Sequence, residues 1–387
     1  MEMAPRASAG SRRLVLLVPA GLALLAGMDA ALMLLGLPAP VRVDRLPQVH
    51  GMLMVLGFVG TLIALERAVA LGRGPAFAAP ALLGAGGLLL LTPLPVAVGQ
   101  LTQLAGTLAF AGLYVAIWRR QQAAPVAVQA LGAVLAVGAS ALWLAGVAVP
   151  GLAPFLVGFL VLTIAGERLE LLRVGFPPAH AEPVVVAASL ALAGAVLLAL
   201  LWPSVGYPVL GACLLALVTA LVRYDVARRT VRAAGLPRFS ALAMLAGYGW
   251  LAVAGGTWLV AGPVPDGPAY DAVLHAVFLG FVLSMVMAHA PVILPAVLRR
   301  PLPYRSAMLV PLAALHVTLA LRVLVGDAHG SALAVQVGGV GNILAVLGFL
   351  ALAVHGTVRG LARPGTGAST AADTAAATAT GRTQVSA

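Results

Sequence analysis

The sequence predicts an all-α polytopic membrane protein of twelve spans, and three observations carry that prediction. Apolar residues make up 61% of the chain and charged residues 9%, with a mean hydropathy of +1.05, a balance far from that of soluble domains. Hydrophobic runs of about 20 residues, enough to cross a hydrocarbon core of roughly 30 Å as a helix, recur along nearly the whole length. In lipid the backbone must satisfy its own hydrogen bonds, so such runs are helices. Finally, the basic residues are all arginine and cluster on alternate loops.

In order, the predicted spans are 13–37, 47–72, 75–94, 97–118, 126–148, 151–174, 183–203, 206–227, 238–262, 270–298, 304–326 and 333–359. Pro and Gly punctuate their junctions, as at Pro38, Pro93, Pro150-Gly151, Pro177-Pro178, Pro203, Pro263 and Pro301. The first run continues for about 24 residues, past the roughly 7 to 15 of a signal-peptide core, and no A-x-A site closes it, so it reads as a span. Residues 1–12 form an N-terminal segment, 13–361 the membrane domain, and 362–387 an Ala/Thr/Gly-rich tail predicted to be disordered. Cys213 stands alone inside a span, which excludes a disulfide framework or a cysteine metal site.

Arginine placement sets the orientation. With the N-terminus in the cytoplasm, only Arg42, Arg45 and Arg322 of the 23 basic residues fall on the outer side. Such an excess of positive charge inside predicts a multi-pass protein of a bacterial-type cytoplasmic membrane with both termini cytoplasmic. The net charge of +11 is therefore topology, its partner is the lipid bilayer, and nucleic acid is not implied.

One stretch echoes itself twice. Aligned on Gly-Phe, VLGFVGTLIALERAVALGRG from Val55, LVGFLVLTIAGERLELLRVG from Leu156 and FLGFVLSMVMAHAPVILPAV from Phe278 each place a polar group eight residues after the Phe: Glu66, Glu167 and His289. These are the second, sixth and tenth spans, which run the same way. The twelve helices thus divide into three four-helix pseudo-repeats, 13–118, 126–227 and 238–359, about an axis along the membrane normal. Repeats of this kind occur in transporters too and name no function by themselves.

Ionisable groups inside a membrane cost a few kcal/mol or more each, so those that remain are functional candidates. His50 and His275 lie about one turn inside the outer ends of spans two and ten. In the repeat frame His50 aligns with Val273, two residues before His275, a rotation of about 200°. Two equivalent helices that face one cofactor must present different faces to it, so the offset suits two axial imidazoles on one haem iron. The alternative is that each histidine bonds a neighbouring carbonyl. Arg322, Arg42 and Arg45, near the outer surface, suit haem propionates, or else ordinary interfacial anchoring. His316 is a candidate for the distal space or a neighbouring site, and with His289 it is a candidate ligand of a second metal site. Glu66, Glu167, His289 and His355, toward the inner side, read either as an ion-pair network joining the repeats or as a proton path. Neighbours on a helix do not face one another, so Glu66 and Glu167 are expected to find partners on other spans rather than in Arg67 and Arg168.

Twelve helices in three repeats, with histidines on spans two and ten, resemble the catalytic subunit of the haem-copper oxidase superfamily. HGMLMVLGF from His50 and LHAVFLGF from Leu274 more closely resemble the His-rich motifs of the NnrS family of haem-copper membrane proteins linked to nitric oxide metabolism. The resemblance implies haem b, with His50 and His275 as ligands. The oxidases' copper-binding histidines on spans six and seven have no counterpart here, and His50 stands alone where NnrS proteins carry further histidines. These departures speak against the family's copper site, and what survives of the resemblance is one six-coordinate haem b, in electron transfer or nitric oxide handling near the outer face, with nitric oxide or a redox protein as partner and a haem-dependent oxidoreductase as the enzyme class. Two other readings stand beside it: a proton-coupled or ion transporter without haem, and a haem-based sensor without turnover.

Overall fold

The computed structural model describes residues 9–174, 177–300 and 302–360. The predicted tail 362–387 and most of segment 1–12, with Arg6, Arg363 and Arg382, lie outside the described residues. Helices joined by short turns account for the fold, and no strand occurs among the described residues. Among the described residues, eleven helices are long and apolar enough to cross a membrane: α1 (Arg13–Leu34), α2 (Arg45–Leu71), α4 (Val96–Trp118), α5 (Ala124–Leu144), α6 (Val149–Arg173), α7 (Ala181–Leu201), α8 (Pro203–Tyr224), α9 (Leu236–Ala261), α10 (Gly267–Leu298), α11 (Ser306–Asp327) and α12 (Ala332–Val358). The predicted third span, 75–94, is a shorter apolar helix, α3 (Gly74–Leu89). Leu90 still bonds back to Gly86, but the chain then breaks at Thr92-Pro93, since Pro has no N–H to continue the ladder.

Turn chemistry sets the ends. Gly72 closes α2 at φ 68°, its N–H returning to the Ala68 carbonyl, and Gly262 closes α9 at φ 70°. Both φ values lie where a side chain is strained. Prolines occupy the first turns of α5, α8 and α9, where their missing N–H has no helical partner in any case.

Sequential helices pack side by side, and α1 closes the arrangement by touching α10 and α12. The three helices that carry the Gly-Phe echo are the most buried. In their most apolar stretches 67% of α2, 83% of α6 and 61% of α10 is buried, against 33–56% for the other long helices. Small residues permit the closest approaches. A Cβ on Gly57 of α2 would lie 3.1 Å from the Ala23 Cβ and 3.5 Å from the Gly87 Cα, the kind of contact that holds helices together where the hydrophobic effect between them is absent.

Two of these helices, and α11, also depart from α geometry. Leu53–Gly60 of α2, Ala276–Leu283 of α10 and Leu321–Asp327 of α11 are π-helical. The first two share one register: each begins four residues before the Gly of Gly-Phe and ends two after the Phe. Just beyond each, a hydroxyl returns to the glycine carbonyl, from Thr61 to Gly57 at 2.8 Å and from Ser284 to Gly280 at 2.6 Å. In α6 the corresponding residue is Leu162, and the helix runs through without a π segment. Wider turns of this kind are frequent at functional sites.

Candidate functional site

His50 and His275 line one cavity of about 120 Å³ in the predicted outer half of the bundle. Each sits just ahead of a π segment, on α2 and α10. The walls are apolar, with Gly27, Met54, Val149, Leu156, Phe278 and Ile343 among them. The second echo helix contributes wall only, because Gly151 stands where α2 carries His50. The cavity adjoins a wider, more polar vestibule of about 780 Å³ that also touches His50, His275, Tyr270 and Arg322 and takes in Gln48, Gln100 and Asp271.

Both imidazoles are oriented through Nδ1. The His50 Nδ1–H donates across the helix interface to the Gly27 carbonyl at 2.8 Å. The His275 Nδ1–H donates to the Asp271 carbonyl at 2.8 Å. With Nδ1 carrying the proton, Nε2 of each ring is left as a lone-pair donor. Histidines that hold metals are oriented in this way, by a carbonyl or carboxylate on the other nitrogen. Asn342 adds an acceptor to the same wall. Its amide N–H groups bond Thr318 Oγ1 at 2.7 Å and the Leu315 carbonyl at 3.0 Å, and its buried Oδ1 has no partner among the described residues.

Arg322 lies at the mouth, on the π segment of α11, and lines both spaces. Its guanidinium grips Asp271, a residue that sequence reasoning overlooked. The signal was available: Asp271 precedes His275 by four residues, one turn away on the same helix face. Gly338 and Gly339 of α12 make room for Arg322, since a Cβ there would lie 2.7 Å from its Cβ and 2.9 Å from its Nη1, respectively.

The other predicted residues sit elsewhere. Arg42 is exposed in the turn before α2 and touches neither space. Arg45 donates instead to the Thr92 and Leu94 carbonyls, where α3 ends. Those carbonyls belong to the turn between α3 and α4, so Arg45 ties that turn to the start of α2. His316 does not line the cavity: Trp250 Nε1–H donates to its Nδ1 at 3.0 Å, and its Nε2 lies 3.4 Å from Ser284 Oγ. Both of its nitrogens are thus committed within the protein. His355 is exposed on α12. His289 lines a different cavity from the one His50 and His275 share, so His316 and His289 do not converge. Among the described residues no three His, Cys, Asp or Glu side chains come together as a metal site.

His289 shares that second, inner cavity, of about 270 Å³, with Glu66 and Glu167. The three echo positions therefore meet on one space. Val59, Val282, Leu283 and Val346 line it and the outer cavity alike, forming an apolar septum between them. Arg67 donates to Glu167 at 2.6 Å and to its own neighbour Glu66 at 3.1 Å. The expectation that Glu66 and Arg67 stay apart is thus corrected: backbone directions diverge, but both side chains are long enough to curl toward the same third group. Arg168, by contrast, turns away to Asp225, which also accepts from the Tyr248 hydroxyl at 2.6 Å.

A family model described as Domain of unknown function (DUF8744) matches residues 13–358. The chain belongs to this family. The match takes in every helix described above, so the two cavities of this DUF8744 protein fall wholly within the family's domain. No curated protein and no solved structure matches the chain.

Proposed function

We propose that this polytopic membrane protein binds one haem b between His50 and His275 and uses it for electron transfer or nitric oxide handling near the outer face. The observation that carries the reading is the pair of imidazoles on one apolar cavity, each fixed by a carbonyl at Nδ1 and each with Nε2 uncommitted. The residues suit the group in chemistry: two neutral nitrogen ligands, an apolar wall for the macrocycle, and at the mouth the Nη1 of Arg322, which the two bonds to Asp271 leave for a propionate. In size, the cavity that both histidines line, about 120 Å³, is below the roughly 300–1,000 Å³ of ordinary ligand pockets. The adjoining vestibule, which His50, His275 and Arg322 also line, would supply the further room that a haem needs. When bound, haem supplies a one-electron iron couple in a water-poor site. The chain's own part is to orient the two rings, through Gly27 and Asp271, and to exclude water from the inner side with the Val59, Val282, Leu283 and Val346 septum.

The same reading takes the twelve helices as three four-helix repeats of the oxidase or NnrS type, in a cytoplasmic membrane with both termini inside. The matching register of the two π segments and the high burial of α2, α6 and α10 support it. Histidine on two of the three echo helices and none on the third is what a single site bridging two of three equivalent helices requires. Copper has no place in the proposal, because His316 is committed to Trp250 and Ser284.

The test is an absorption spectrum of detergent-purified protein expressed with ample haem. A Soret band that sharpens on dithionite reduction, and is lost or shifted in His50→Ala and in His275→Ala, is the expected result. Colourless protein overturns the reading and favours the haem-free transporter, for which the inner cavity with Glu66, Glu167 and His289 speaks. Nitric oxide added to the reduced, coloured protein then separates a reactive haem or a sensor from a sealed electron carrier.

A further inference from the structure

The inner cavity holds an unbalanced set of charges. Glu66 and Glu167 bring two carboxylates to one guanidinium, Arg67, in a place where all three side chains are at most 26% exposed. The other groups near Glu66 do not repair the balance. From α6, Glu170 adds a further carboxylate, though an exposed one, and Arg168 is committed to Asp225. From α4, the Tyr114 hydroxyl is buried and has no partner among the described residues. From α10 comes His289, whose Nδ1–H donates to the Met285 carbonyl at 2.7 Å and leaves Nε2 as an acceptor. On α1 the guanidinium of Arg13 bonds the Ala296 and Val297 carbonyls at the inner end, and α3 brings no charged group. An uncompensated charge in so apolar a space costs several kcal/mol, so it is neutralised by a proton or a cation.

We propose that the inner cavity is a proton-binding site: Glu66 carries one exchangeable proton, Glu167 stays ionised on Arg67, and His289, which lines the same cavity, is a further acceptor through Nε2. Geometry assigns the roles. The Arg67 bond to Glu167, at 2.6 Å, has the length of a charge-assisted pair, whereas its bond to Glu66 is 3.1 Å. A metal ion is disfavoured because no three suitable ligands converge among the described residues. In the exchange the Glu66 O–H bond breaks, the proton passes to water from the inner side or to His289 Nε2, and the carboxylate electron pair remains on Glu66. No electron moves, so the proposal stands whether or not haem is bound in the outer cavity.

Infrared difference spectroscopy on the full-length protein, taken between mildly acidic and mildly alkaline pH in H₂O and D₂O, tests it. The expected result is a protonated-carboxyl C=O band that is lost on alkalinisation, moves to lower frequency in D₂O, is absent in Glu66→Gln and returns at a changed position in Glu66→Asp. Glu167→Gln should also remove it, because Arg67 then has only Glu66 to pair with and holds it ionised. His289→Ala should retain the band. Persistence of the whole band in Glu66→Gln, or its loss on adding sodium at constant pH, overturns the proposal, the latter in favour of a cation site. The readout needs no haem, so colourless protein with this band refutes the haem reading alone.

Discussion

Arg322 and Asp271 form a two-pronged ion pair at the mouth of the outer cavity, Nε to Oδ2 at 2.8 Å and Nη2 to Oδ1 at 2.7 Å. The guanidinium side chain is 8% exposed and the carboxylate 27%. The same carboxylate stands 3.2 Å from His275 Nδ1, so one acidic group anchors a helix that π geometry has widened and also steadies an imidazole. Asp271→Ala removes the partner of both guanidinium bonds and leaves Asp327 as the remaining carboxylate near Arg322. Breaking a fully buried pair costs about 3–5 kcal/mol, and the partial exposure of Asp271 lowers that to roughly 2–4. Thermal unfolding in detergent should show the loss, and Asp271→Ala combined with Arg322→Met should recover much of it. A single variant as stable as the parent would remove the pair from any structural account.

Gly27 accepts the His50 bond through its carbonyl and leaves room for Met54, whose Sδ would lie 2.3 Å from an added Cβ. Gly27→Val must push Met54 into the cavity that it lines. Bound haem per protein should fall several-fold while both histidines remain. Gly21→Ala, on the same helix with nothing within 4 Å of the new methyl, should leave haem content unchanged. Equal haem in the two variants would count against occupancy of this cavity.

Trp250 rests on Gly280, where a Cβ would lie 2.4 Å from its Cγ. Gly280→Ala therefore displaces the indole and breaks its 3.0 Å bond to His316. Overpacking of this kind costs about 1–3 kcal/mol. A changed tryptophan emission maximum and a lower unfolding temperature are expected, with neither in Gly249→Ala, which has open space.

Orientation is open to direct labelling in a Cys213→Ser background. Arg42→Cys and Arg229→Cys both lie at exposed positions. A membrane-impermeant maleimide should label Arg42→Cys in intact cells, and Arg229→Cys only after permeabilisation. The reverse pattern would invert the topology.

Much of the architecture was legible before folding. Apolar runs long enough to span a bilayer identify α1, α2 and α4 to α12, because lipid leaves the backbone no alternative to a helix. The Gly-Phe echo marked the three helices that turn out to be most buried, and with them His50, His275, Glu66, Glu167 and His289, all of which line one of the two cavities. The π segments were not foreseen. Their one trace in the sequence is the hydroxyl at Thr61 and Ser284, four residues after the echo glycine, where the straight copy has Leu162.

What the sequence alone determined is what acts along one chain: span length, arginine bias, the internal echo and the residue types offered to the interior. Partner choice was decided only by the tertiary structure. Arg45 binds the turn after α3, His316 is held by Trp250 and Ser284, and Arg322 closes on Asp271 instead of standing free. Each choice turns on distances and rotations between helices far apart in the chain. A long side chain reaches several Å in any of several rotamers, and which partner it meets is set by the neighbouring helix that packing brings within reach.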